Sequence, residues 1–143
     1  MILVDANLLL YAYDSSSEHH EKARAWLERV LSGTAPVLLP WPSVLAFLRI
    51  GTNGRAFREP FSIAEAVGIV SEWLSRPNVR VPVPSHKHWE LLRQLLPLAQ
   101  ARADLVMDAH LAVLAQEQGA TLASHDRDFL RFPDLRVEDP LTR

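Results

Sequence analysis

Short apolar runs recur along this chain, and helical periodicity fills the space between them. Ile2-Leu3-Val4, Val37-Leu38-Leu39 and Thr121-Leu122-Ala123 read as strands, Val79 to Val83 alternates as a further one, and Leu135-Arg136-Val137 offers a last. Strands that alternate with helices in this way build a parallel sheet covered on both faces, so the fold class is α/β. Pro82 removes a ladder donor and assigns its strand to an edge or an irregular end. Right-handed crossovers then bring the carboxyl ends at Asp5, Pro40 and Ser124 to one edge of the sheet.

The helices are marked by their punctuation. Leu8 to Ala12 reads as a short helix or a continuation of the first strand. Ser15-Ser16-Ser17-Glu18 offers caps and a capping box before Ala23, Trp26, Leu27, Val30 and Leu31, and Gly33 ends that helix. Pro42 suits the first turn of the next, whose Val44, Leu45, Phe47, Leu48 and Ile50 leave little polar face and predict a buried helix. Ser62 caps a fourth. His86 to Ala99 forms a fifth, and Asp104 opens a sixth that ends at Gly119. Asp126 to Leu130 reads as a short helical turn. Trp41, Trp73 and Trp89 belong to the core or to an interface, with the core as the default.

Size and composition narrow the classes. With 143 residues the chain is the length of one domain, 1–143, and its net charge of −2 gives no basis for nucleic-acid affinity from the average field. The absence of cysteine excludes disulfides, thiolate metal sites and cysteine nucleophiles. No stretch approaches the roughly 20 apolar residues of a membrane span. Asp5 and Asn7 interrupt the N-terminal apolar run, with no basic residue before it as a signal peptide requires, so the expected location is the cytoplasm.

The chemistry lies in the acids. Asp5 ends the first strand, Asp104 and Asp108 are four residues apart on one helix face, and Asp126 and Asp128 follow the fourth strand. Ligands of open α/β sheets bind at the carboxyl ends of strands, and carboxylates gathered there repel one another unless a hard cation such as Mg2+ lies between them. Each acid also has a local structural use. Asp104 and Asp126 are placed as N-caps, and Asp5 as a strand-end acceptor for backbone amides. The metal reading rests on their convergence.

Three stretches carry a resemblance: Val4-Asp5-Ala6-Asn7-Leu8-Leu9-Leu10-Tyr11-Ala12; Trp41-Pro42-Ser43 through Phe47-Leu48-Arg49; and Asp108-Ala109-His110-Leu111-Ala112 with Ser124-His125-Asp126-Arg127-Asp128-Phe129. The chain resembles the PIN-domain nucleases, and among them the VapC-like toxins of bacterial toxin-antitoxin pairs, over nearly its whole length. The resemblance implies a three-layer α/β/α sandwich with a short central parallel sheet and a metal-dependent endoribonuclease. It matches Asp5, Asp108 and Asp126 to the acidic metal site, with Asp104 as a further ligand. Asn7, Ser124 and Asp128 match supporting positions. It implies Mg2+, with Mn2+ as a substitute, an RNA substrate, a small antitoxin as partner, and a homodimer. One departure stands out: many PIN nucleases carry a glutamate in the helix after the second strand, where this chain reads Leu45-Ala46-Phe47-Leu48-Arg49.

Arg49, Arg55, Arg58 and Arg127 are candidates for binding flanking phosphates, set against a solvated or interface face. His86-Lys87-His88 has metal-like spacing but alternates sides of a helix, so solvated surface is expected there, as for His19-His20. His125 lies inside the acidic stretch, where it could protonate a leaving oxygen, but no separate feature supports that role. Two further readings are a non-catalytic member of the same fold that binds RNA or a protein, and a phospho-acceptor domain with Asp5 as nucleophile. The latter lacks a second aspartate at Asn7 and a placed lysine.

Overall fold

The computed structural model describes residues 1–142. Five short strands, β1 (Ile2–Val4), β2 (Val37–Leu38), β3 (Val79–Arg80), β4 (Thr121–Ala123) and β5 (Val137–Glu138), form one sheet in the order β3-β2-β1-β4-β5. Every pairing is parallel. The helices are α1 (Ala6–Tyr13), α2 (His20–Leu31), α3 (Trp41–Gly51), α4 (Ile63–Ser75), α5 (His88–Leu98) and α6 (Leu105–Gln118), with a 3-10 turn at Arg127–Arg131.

Strand alternation divides the core into two layers, because successive side chains of a strand point to opposite faces. Val4, Val37, Leu39 and Ala123 join Leu8, Leu9, Trp26, Leu27, Phe47 and Trp73 from α1 to α4 on one face. Leu3, Leu38 and Leu122 join Leu95 of α5, residues 109 and 111–115 of α6, and Phe129 on the other. This is the three-layer sandwich, with a sheet buried on both sides as parallel sheets require. On the first face the rings of Phe47 and Trp73 lie 4.7 Å apart, and the Trp73 indole N–H donates to the Tyr13 hydroxyl at 3.1 Å.

The edge strands carry the sequence's irregularities. β3 is at one edge and is only two residues long, in keeping with Pro82 beyond it. β5 is at the other edge, shifted two residues past the start expected from Leu135. Gly119 ends α6 in the left-handed conformation at φ 66°, with nothing within 4 Å of where a Cβ would stand. Gly119→Ala is therefore expected to cost about 1 kcal/mol from backbone conformation alone, read as a lower midpoint in urea with an unchanged m-value.

Three local expectations are corrected. The Ser15–Glu18 segment forms no capping box: α2 begins at His20 without a side-chain cap, and Asp14 instead accepts from the Ser16 amide at 3.1 Å. A capping box is present at Ser62 and Glu65, where each side chain accepts from the other's backbone N–H. The α3 helix is not buried throughout; Ser43, Val44, Phe47 and Gly51 face the core while Trp41 and Leu45 are exposed. Trp73 is in the core, but Trp41 and Trp89 are 51% and 66% exposed, contrary to the default assignment. An apolar residue on a helix contributes to the core only if its own azimuth faces the sheet, and composition does not fix that azimuth.

Candidate metal centre

The chain order moves outward from β1 through β2 to β3, then returns to the other side of β1 with β4 and β5. Connections therefore diverge between β1 and β4, and the crevice at their carboxyl ends is where α/β folds bind ligands. Asp5 and Ser124 are the residues that directly follow those two strands. The Asp5 amide donates to the Ala123 carbonyl at 3.0 Å, and the buried Ser43 hydroxyl at the start of α3 donates to the Val4 carbonyl at 2.7 Å. These contacts fix the chain at the point where its first acid leaves the sheet.

Ser124, 1% exposed, is the hub of the crevice. Its hydroxyl donates to Asp5 Oδ2 at 2.7 Å and accepts from the Asp126 amide at 2.9 Å, while Asn7 Nδ2 approaches it at 3.4 Å. Asp5 Oδ1 accepts from the Ala6 amide at 2.8 Å, which makes Asp5 the N-cap of α1 as well as the end of β1. Burial raises the Asp5 pKa above its ordinary value; the bonds from Ser124 and Ala6 oppose that rise, and the Asp126 charge adds to it.

Asp108, in the first turn of α6, faces this group. One carboxylate oxygen from each of Asp108, Asp126 and Asp128 lies within 4.8 Å of the other two. Burial, followed by the charges of Asp5, Asp126, Asp128 and Asp104, raises the Asp108 pKa to about 7. Asp126 Oδ1 accepts from the Asp128 amide at 2.9 Å and caps the 3-10 turn, as its sequence context indicated. Asp104 occupies the N-cap position of α6 but its side chain makes no capping bond, so its near effect is its charge on Asp108.

The donor set suits a hard divalent cation. Carboxylates that force one of their number toward neutrality gain from a shared positive charge, and Mg2+ needs only one or two of them besides water. Asn7 Oδ1 is buried without a hydrogen-bond partner, an acceptor suited to a water in an ion's hydration shell. The helix α3 carries no acid in residues 45–49, in agreement with the departure noted in its sequence.

The candidate arginines are less concentrated. Arg127 begins the 3-10 turn directly after Asp126. Arg49, Arg55 and Arg127 form no ion pair among the described residues, and Arg58 lines a separate 260 Å³ cavity with Tyr13, Phe57 and Phe61. Sequence reasoning did not single out Arg102 and Arg131, which line one 670 Å³ groove beside Leu105 at the start of α6. The signal available was the position of Arg102 two residues before Asp104.

The histidines differ most from expectation. His19 and His20 are not free surface groups: the His19 ring lies 4.5 Å from that of His125, and His20 Nδ1 is 3.0 Å from the Tyr11 carbonyl. His125 Nδ1 pairs with Asp139 at 2.9 Å, so that nitrogen is already engaged. His88, expected on solvated surface, has a side chain only 13% exposed and bonds to Glu117 and His110 of α6.

Comparison with known proteins agrees with this architecture. The model of the PIN domain matches residues 2–135. The Mycobacterium tuberculosis protein named ribonuclease VapC37 is 40% identical, with 98% of this chain and 97% of that one covered. Ribonuclease VapC33 of the same species is 38% identical over 99% of both. Among solved structures, VapBC-1 from nontypeable Haemophilus influenzae superposes with a TM-score of 0.69 at 17% identity over 100% of both chains. VapC20 of M. tuberculosis, described as a sarcin-ricin loop cleaving toxin, gives 0.67 at 18% identity over 95% of this chain and 99% of that one. The chain belongs to the PIN-domain family and, within it, to the VapC ribonuclease group.

Proposed function

We propose that this protein is a Mg2+-dependent endoribonuclease, the toxin of a toxin-antitoxin pair, with Asp5, Asp108 and Asp126 as catalytic metal ligands. The observation that carries the reading is the meeting of Asp108, Asp126 and Asp128 within 4.8 Å, beside Asp5, with Asp108 driven toward neutrality by burial and by the charges of its neighbours. Its VapC relatives are named ribonucleases, and the fold neighbours include toxin-antitoxin complexes. Mn2+ would substitute for Mg2+, since both accept carboxylate and water oxygens.

Bound Mg2+ supplies charge neutralisation at the phosphate and lowers the pKa of its attacking water. The chain's own residues do the rest. Ser124 holds one Asp5 oxygen and the Asp126 amide together, so two ligands from separate strands keep a fixed spacing. Asp104 and Asp128 add negative charge that would raise cation affinity, and Asp128, with an oxygen within 4.8 Å of those of Asp108 and Asp126, would help to hold the ion or its water. Asn7 supports Ser124, and its buried, unpartnered oxygen would accept from a water of the ion's shell. Arg127, with Arg49 and Arg55 from earlier in the chain, would bind flanking phosphates. The expected partners are a cognate antitoxin and a second copy of the chain, and the expected location is the cytoplasm.

The missing acid in α3 favours one other reading, a non-catalytic PIN-like domain that binds RNA or a protein. Purified protein incubated with structured RNA separates the two. Cleavage in Mg2+ that disappears with EDTA, and with Asp5→Asn, is the expected result. RNA bound but left intact at every Mg2+ concentration rejects the nuclease.

A further inference from the structure

A second polar cluster lies between α5 and α6, apart from the carboxylates. His88 Nε2 and His110 Nδ1 are 2.9 Å apart. On the other side of the His88 ring, Nδ1 bonds to Glu117 Oε1, and the second Glu117 oxygen accepts the Ser85 amide at 2.8 Å. The Glu117 side chain is only 5% exposed, and the bonds from His88 and Ser85 hold its pKa below the usual carboxylate range despite burial.

The proton positions follow from this chain of contacts. An ionised Glu117 is acceptor only, so it keeps the hydrogen of neutral His88 on Nδ1 and leaves a lone pair on Nε2. The contact with His110 is then an Nδ1–H donated to that lone pair. Exchange of His110 to its other neutral tautomer frees a second lone pair on the nitrogen that faces His88, without ionising either ring. Two imidazole nitrogens from different helices then converge, one of them backed by a buried carboxylate. Metal-binding histidines are held in this way, with a carboxylate on the second ring nitrogen fixing tautomer and orientation.

Distance identifies the class of ion. Metal–nitrogen bonds of about 2.0–2.1 Å place two nitrogens about 2.9 Å apart at a right angle, and about 3.3 Å apart at a tetrahedral angle. The 2.9 Å spacing, now that of a hydrogen bond, already equals the right-angled separation, and a turn of the half-buried His110 ring is needed to bring both lone pairs to one point off the N–N line. Imidazole selects late first-row divalent ions, whereas Mg2+ prefers oxygen.

We propose that His88 and His110 form a two-imidazole site for a late first-row divalent ion, such as Ni2+, with Glu117 as the carboxylate that orients His88. The ion links α5 to α6 and takes its remaining ligands from water. His110 is two residues beyond Asp108, so the link fixes the first half of the helix that carries that acid. The site is independent of the nuclease reading and uses none of its acids.

Calorimetric titration of tag-free protein with Ni2+, in excess Mg2+ to fill the carboxylates, tests it. One saturable Ni2+ per chain is expected, with a rise in Tm. His88→Gln and His110→Gln each abolish both, and Glu117→Gln weakens binding about 10-fold to 100-fold. In the unmutated protein, paramagnetic broadening should fall first on the His88 and His110 ring resonances, a readout that does not depend on any variant folding. Absence of saturable binding overturns the proposal. So does binding that survives His88→Gln, binding lost with His125→Gln or Asp126→Asn instead, or broadening that begins at other rings.

Discussion

Asp108→Asn is expected to abolish RNA cleavage and at the same time raise the melting temperature of the metal-free protein. Loss of a ligand from a carboxylate metal site removes the charge that holds the ion, and a fall in cleavage of about 10³-fold or more is the expected scale for a central catalytic group. The stability change has the opposite sign because the wild-type carboxylate is disfavoured where it stands. Its pKa is about 7 in the folded chain against 3.8 for the ordinary group. Between those values the folded state binds more protons than the unfolded one, so stability falls as pH rises from about 4 to about 7 and is then level. Below pH 4 both states are protonated and the penalty vanishes.

The carboxyl is only partly buried, so solvent screening reduces the penalty to about 1–2 kcal/mol. In EDTA at pH 8 the asparagine variant should melt about 3–6 °C higher, and at pH 4 the two should coincide. Mg2+ should reverse the order at pH 8 by stabilising the wild type alone. A variant that melts lower than wild type at both pH values would mean that Asp108 holds the fold together and that the site is no metal centre.

Ser124→Ala is the second large effect, and it acts on fold and site together. The hydroxyl is buried, donates to Asp5 and accepts the Asp126 amide. Removing it leaves a mostly buried carboxylate and a backbone N–H without their partner, a loss of about 2–4 kcal/mol when a charged acceptor is involved. It also removes one of the two bonds opposing the rise in the Asp5 pKa, so that pKa should climb further. Urea denaturation reads the first consequence. Mg2+ titration of cleavage at pH 6 and pH 8 reads the second, with the variant needing more Mg2+ and the difference larger at pH 6. Ser124→Thr keeps the hydroxyl and should recover much of both losses; a threonine variant as damaged as alanine would point to packing as the role of Ser124.

The sequence made the parallel sheet legible because strand and helix periods differ and the apolar runs end abruptly on Asp5, Pro40 and Ser124. It also pointed to a gathering of acids, since Asp5 ends an apolar run and Asp108 lies one turn into a largely apolar helix. Which acids touch was not legible. The close group includes Asp128, expected only as a support, because the 3-10 turn at Arg127 brings positions 126 and 128 to one side. Asp104, expected as a ligand, lies outside that close group, and its charge adds to the rise in the Asp108 pKa. The His88–His110–Glu117 cluster was hidden for a simple reason. His88 reaches it from a helix separated from α6 by a loop whose path, through positive φ at Gln100 and Ala103, no local pattern announces.

The two outer strands have a bearing on how this chain behaves when crowded with copies of itself. Each consists of only two residues, and beyond β3 lies Pro82. An open row of backbone donors and acceptors is a template on which another molecule's strand can add, and short or proline-blunted borders deny it the length to do so. Growth into fibrils by strand addition is thereby disfavoured at both margins, by shortness at each and by a proline at one.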